Sequence, residues 1–94
     1  MQFLQFEFDA LEGQVVRVAL RGNAANVRLM DEHNFRCFRN RQRHHYYGGY
    51  FKQSPAVIKV PHCGRWFVTV DLGGGSGHVE ASLAVASSAA TISM

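Results

Sequence analysis

Four runs of this 94-residue chain alternate apolar and polar side chains with a period of two. Leu4, Phe6 and Phe8 alternate with Gln5 and Glu7. Val16, Val18 and Leu20 alternate with Arg17, Ala19 and Arg21. Trp66, Val68, Val70 and Leu72 alternate with Arg65, Phe67, Thr69 and Asp71. Val79, Ala81, Leu83 and Val85 alternate with His78, Glu80, Ser82 and Ala84. Successive side chains on a strand point to opposite faces, so this rhythm predicts strands with one face buried. Shorter strand candidates lie at 26–30, 50–52 and 56–60.

Turn-forming residues separate these runs at 11–13, 22–26, 54–55 and 61–64. The glycine run at 73–77 predicts a hairpin between the last two long strands. It resembles a phosphate-binding loop only in composition, because it lacks a lysine and is followed by strand-like alternation instead of a helix. Six or seven short strands at this spacing predict an all-β fold. The expected architecture is a small β-sandwich of Greek-key or jelly-roll character over residues 1–85. Residues 86–94 are small and uncharged, and are expected to form a flexible C-terminal tail. Trp66, on the apolar phase of its strand, is the expected core anchor. Phe67 falls on the opposite phase, which marks either an interface or a face covered by a helix. Edge strands of such a sheet also offer a route to a dimer.

One segment departs from the two-residue rhythm. Asp31 is a good helix N-cap, Glu32 places an acid in the first turn, and Phe35 and Phe38 share a face at i and i+3. This predicts one short helical insertion near residues 31–41. Its two phenylalanines are expected to plug one end of the sandwich, leaving Arg36, Arg39 and Arg43 displayed.

The length allows one domain with one modest core. Its hydrophobic fraction of 47% and aromatic fraction of 12% favour a folded chain over a disordered one. Cys37 and Cys63 are too few for a disulfide framework; free thiols in a reducing compartment are expected, with a single bridge as the alternative. The N-terminus has no basic n-region, and no apolar run approaches the ~20 residues of a membrane helix. The cytoplasm is the expected location, and no membrane partner is expected.

Charge is distributed unevenly. Between Glu32 and Asp71 the chain carries Arg36, Arg39, Arg41, Arg43, Lys52, Lys59 and Arg65 and no acid, within a formal net charge of +3. Arg36, Arg39, Arg41 and Arg43 adjoin Tyr46, Tyr47 and Tyr50, and these seven residues form the candidate binding surface. Arginine offers forked donors to carboxylate or phosphate, and tyrosine offers stacking faces. The expected partner is an anionic small ligand or an acidic protein surface. Single-stranded nucleic acid, which uses cationic grooves with aromatic platforms, is the alternative. A solvated basic face over packed aromatics is the structural reading of the same residues.

Other chemistries are weaker. His33 and Cys37 share a helix face, and His62 and Cys63 form a second pair, but this spacing is unlike that of zinc fingers. Adjacent His44 and His45 would point to opposite sides of a strand. The five histidines would add positive charge as pH falls through about 6.5. A cysteine nucleophile with histidine would need an orienting acid from a distant position, and no hydrolase or metalloprotease motif occurs. A cysteine- or metal-dependent enzyme therefore stands third, no cofactor is expected, and the expectation is a non-enzymatic recognition module.

The runs Gly22-Asn-Ala-Ala-Asn-Val-Arg-Leu-Met-Asp31, Tyr46-Tyr-Gly-Gly49 and Trp66-Phe-Val-Thr-Val-Asp-Leu-Gly-Gly74 together resemble a small bacterial family known only as a domain of unknown function. The resemblance spans about residues 1–85. Members of that family stand alone at about this length or precede a TIR domain in longer proteins. The resemblance implies an accessory sensing or interaction module and transfers no catalytic residue.

Overall fold

A computed structural model describes residues 3–75 and 77–87, except for the side chain of Ser87. Its described elements run β1 (Leu4–Ala10), β2 (Gln14–Gly22), β3 (Ala25–Asp31), α1 (Glu32–Arg39), β4 (Tyr47–Phe51), β5 (Ala56–Lys59), β6 (Gly64–Asp71) and β7 (Val79–Ser87). All four alternating runs are strands, as is each shorter candidate. The fourth strand begins at Tyr47, earlier than the expected 50–52. The tail expected at 86–94 falls beyond residue 87 outside the described residues; Ala86 and Ser87 pair with Val15 and Gln14 within β7 and β2.

Two antiparallel sheets face each other, one ordered β1-β6-β3-β4 and the other β5-β2-β7. Every connection except β3–β4 passes from one sheet to the other. That wiring is a jelly roll of seven strands where the full form has eight. Inward-facing Val16 and Val18 of β2 meet Val27 and Leu29 of β3 and Trp66, Val68 and Val70 of β6, all buried. Each such aliphatic or aromatic side chain contributes about 1.5–3 kcal/mol on burial. Trp66 anchors this layer, and its indole N–H donates to the His62 carbonyl at 3.0 Å. The core thus satisfies its one indole donor.

The glycine run is not a hairpin. β6 lies in the four-stranded sheet and β7 in the three-stranded one, so the loop crosses between sheets. Alternation shows that each strand has a buried face but does not tell which sheet it joins.

The helix also lies elsewhere than expected. Phe35 and Phe38 pack with Met30 and Phe67 in a second apolar cluster on the outer face of the four-stranded sheet, with Phe3 at its margin. The Phe35 and Phe67 rings stack at 4.2 Å and 4°. Phe67 is the outward residue of β6 for which this cover exists. An end plug would have left Phe67 and Met30 in water; lying on the sheet buries four large side chains together. Because eight residues are too few for a stable isolated helix, this contact is what holds α1. The side chain of Asp31 caps its start by accepting the Asn34 N–H at 2.8 Å.

Candidate functional site

The basic stretch begins at the C-terminus of α1. There the Gln42 N–H donates to the Cys37 carbonyl at 2.8 Å, and the Arg41 N–H donates to the Phe38 carbonyl at 3.2 Å. These two bonds make a Schellman cap, which puts its C′ residue in the left-handed region. That residue is Arg41, at φ 58°, the one described non-glycine residue with positive φ. Glycine is the usual choice there, because a Cβ costs about 1–2 kcal/mol. The connection then folds back along the helix. Asn34 joins its two ends: its Nδ2 donates to Asp31 at 2.9 Å, and its Oδ1 accepts the His45 N–H at 2.8 Å.

The candidate residues divide into distinct environments. Arg36, Arg39, Arg41 and Arg43 are all exposed. Arg36 pairs with Glu32 one helical turn back, at 3.4 Å. Arg39 lies over the Phe35 ring at 5.8 Å. Arg39, Arg41 and Arg43 have no carboxylate partner among the described residues, whereas Arg21 and Arg28 each have one and Arg65 has two. Arg65 donates to both Glu7 and Asp9; its hydrogen bond to Glu7 and the charge of Asp9 raise its pKa above the ordinary arginine value.

The three tyrosines do not form one platform. Tyr46 packs on the outer face, with the Arg28 guanidinium 5.2 Å from its ring centroid and His44 at 5.8 Å. Tyr47 turns to the Trp66 ring at 6.2 Å, edge-on. Tyr50 is the most exposed, at 62%, and pairs with Asn26 in the β3–β4 register. Gly48 and Gly49 lie between them with φ 111° and 152°. A Cβ at Gly48 would run into the Val27 carbonyl, so the backbone closes up there where a side chain would not fit.

Arg28 was not among the sequence candidates, and it is the hub of this face. It lies between Phe38, at 5.9 Å, and Tyr46 above, and reaches diagonally to Asp71 at 2.6 Å. Asp71 is 2% exposed. Its other oxygen accepts from Asn26 Nδ2 at 3.1 Å and from the Gly73 N–H at 2.7 Å. Both residues occupy polar-phase positions of their strands, within the runs Gly22–Asp31 and Trp66–Gly74. That phase was the available signal, but only adjacency of β3 and β6 turns it into a pair.

The other chemistries gain little. His33 and Cys37 do share a helix face, with Nε2 and Sγ 3.9 Å apart. Among the described residues no three His, Cys, Asp or Glu side chains gather as a metal site. Cys37 is half-buried and Cys63 exposed, and both are free thiols. An open cavity of about 800 Å³ lies elsewhere, lined by Phe3, Leu4, Asp71, His78, Val79 and loop glycines. It includes none of the candidate arginines or tyrosines. No helix among the described residues is long and apolar enough to cross a membrane.

Searches of curated proteins and of solved structures return no match to the chain. Residues 1–89, which include every described strand and the outer-face helix, match the model of DUF1883, a domain of unknown function, and the chain belongs to that family.

Proposed function

We propose that this protein is a non-enzymatic recognition module that binds an anionic partner through Arg36, Arg39, Arg41 and Arg43, with Tyr46, Tyr47 and Tyr50 at the margin. The reading rests on one observation: Arg39, Arg41 and Arg43 are exposed on one short segment without a carboxylate partner among the described residues. Unneutralised guanidinium groups so close in sequence make a local positive field and offer bidentate donors. The open cavity lies away from them, which favours an acidic protein surface over a small enclosed ligand. In this reading the domain works in the cytoplasm, as an accessory module of the kind found ahead of TIR domains.

Single-stranded nucleic acid is the second reading, favoured by Tyr50. Its exposed ring has no aromatic or cationic neighbour among the described residues. It ranks lower because Tyr46 and Tyr47 already use ring surface inside the fold, and stacking of successive bases needs several free faces.

The test is fluorescence anisotropy with a labelled poly-glutamate peptide and a labelled single-stranded oligonucleotide, repeated with the triple variant Arg39→Gln, Arg41→Gln, Arg43→Gln. The proposal expects peptide binding that weakens with salt and disappears in the variant. Preferential oligonucleotide binding, with a log–log salt slope of about −2 for three neutralised phosphates, would select the second reading. No binding of either probe at low salt would defeat both.

A further inference from the structure

The two sheets leave four strand edges, and three of them carry devices that discourage pairing. Edge β1 presents Glu7 and Asp9. Edge β4 is broken by Gly48 and Gly49 at positive φ. Edge β5 is four residues long, carries Lys59, follows Pro55 and is closed by Pro61. Charges, proline, shortness and irregularity are the usual protections of an edge. Strand β7 has nine residues, its one charge is Glu80, and residues 81–87 contain no charge, proline or glycine. A full jelly roll would place its eighth strand against this edge. Among the described residues no strand lies there, and inward Val79, Ala81, Leu83 and Val85 are only half-buried.

We propose that the open edge of β7 pairs antiparallel with β7 of a second copy of this chain, about a two-fold axis at Ser82. This register sets Leu83 opposite the partner copy's Ala81 and Val79 opposite its Val85, so each large inward residue of one strand meets an apolar one of the other. It keeps the inward phase facing inward on both copies, as strand pairing requires. It also sets Glu80 of each copy opposite Ala84 of the other, so no like charges meet.

Charge complementarity favours a second copy as the occupant. Arg17 of β2 is exposed, makes no ion pair among the described residues, and lies opposite Ala84 in the β2–β7 register. Across the dimer, Arg17, Ala84 and the other copy's Glu80 fall in one row on the outer face. The two charges are then two strand spacings apart, about 10 Å between backbones, with only an alanine side chain between them. Within its own chain Glu80 has only exposed contacts to give up for that partner, Arg21 at 3.9 Å and His78 Nε2 at 3.4 Å. A shallow hollow of about 290 Å³, lined by Arg17, Ser54, Pro55, Ser82 and Ala84, has room for the incoming carboxylate.

Sedimentation equilibrium of the full chain tests the proposal, up to about 1 mM so that a millimolar complex is populated. The wild type should dimerise, and Ser82→Lys, which opposes two ammonium groups at the axis, should be monomeric with an unchanged circular dichroism spectrum. Arg17→Glu should weaken the dimer about threefold, the combined size of two weak exposed ion pairs related by the two-fold. In a Cys37→Ser, Cys63→Ser background, mild oxidation should link Ser82→Cys into a covalent dimer and leave Ala84→Cys unlinked. Directly opposed residues lie within disulfide reach. A wild type that stays monomeric, a dimer indifferent to Ser82→Lys, or cross-linking through Ala84→Cys in place of Ser82→Cys would overturn the proposal.

Discussion

Arg28 and Asp71 form an ion pair at 2.6 Å across β3 and β6, with the Asp71 side chain wholly buried and Arg28 one-fifth exposed. Asp71 also holds Asn26 and the Gly73 N–H, so one carboxylate ties together two strands and the start of the glycine loop. Removing one partner of such a pair strands the other. Asp71→Ala is expected to cost about 3 kcal/mol in urea unfolding. Arg28→Met with Asp71→Leu should cost clearly less than the sum of the single changes, because neither charge is left buried alone. Additive costs would show that the pair is not coupled.

Arg41 in the left-handed C′ position predicts a gain from a substitution. Arg41→Gly relieves the Cβ clash while keeping the Schellman bonds, and should stabilise the domain by about 0.5–1 kcal/mol, a rise in Tm of several degrees for a chain this small. The same change removes one unpaired cation, so binding to an anionic probe should fall as stability rises. Arg41→Val, which is β-branched, should lower Tm. If Arg41→Gly also lowers it, the cap is not strained.

The stacked pair Phe35 and Phe67 links the helix to the sheet. Phe67→Ala should cost about 3–4 kcal/mol and lower the hydrogen-exchange protection of the α1 amides first, because the helix has no independent stability. Amides of β2 and β3, whose inward side chains belong to the other cluster, should lose less. Equal loss of protection throughout would mean that the two apolar clusters unfold as one unit.

Thr69 is fully buried on β6, and its hydroxyl has no hydrogen-bond partner among the described residues. An unsatisfied buried hydroxyl costs about 1–3 kcal/mol. Thr69→Val keeps the shape and removes that cost, so a stabilisation of about 1 kcal/mol is expected from thermal or urea unfolding. A loss of stability would reveal a bound water or another partner at this oxygen.

Particular residues show how far the sequence was legible. The apolar phases of β1, β2, β6 and β7 were readable because half-buried strands repeat every two residues. The helix was readable from the Asp31 cap and the Phe35–Phe38 spacing. Exposure of Arg39, Arg41 and Arg43 followed from an acid-free stretch with no local partners, and Arg36 pairs only with Glu32 at its border. Arg28 was missed because its partner lies 43 residues away. Tyr46 and Tyr47, adjacent in sequence, were grouped together, yet one packs on Arg28 and the other on Trp66.

The sequence by itself determined which segments become strands, which face of each is apolar, where the single helix starts, and where positive charge accumulates. These are local properties, set by backbone geometry and by neighbours a few residues apart. Tertiary structure alone decided that β6 and β7 belong to different sheets, that α1 lies on the outer face over Met30 and Phe67, that Arg28 meets Asp71, and that one edge of β7 is unpaired among the described residues. A period of two tells a strand which side to bury but not against what. Its partner is selected by the total burial and hydrogen bonding of the whole sandwich, to which every distant strand contributes.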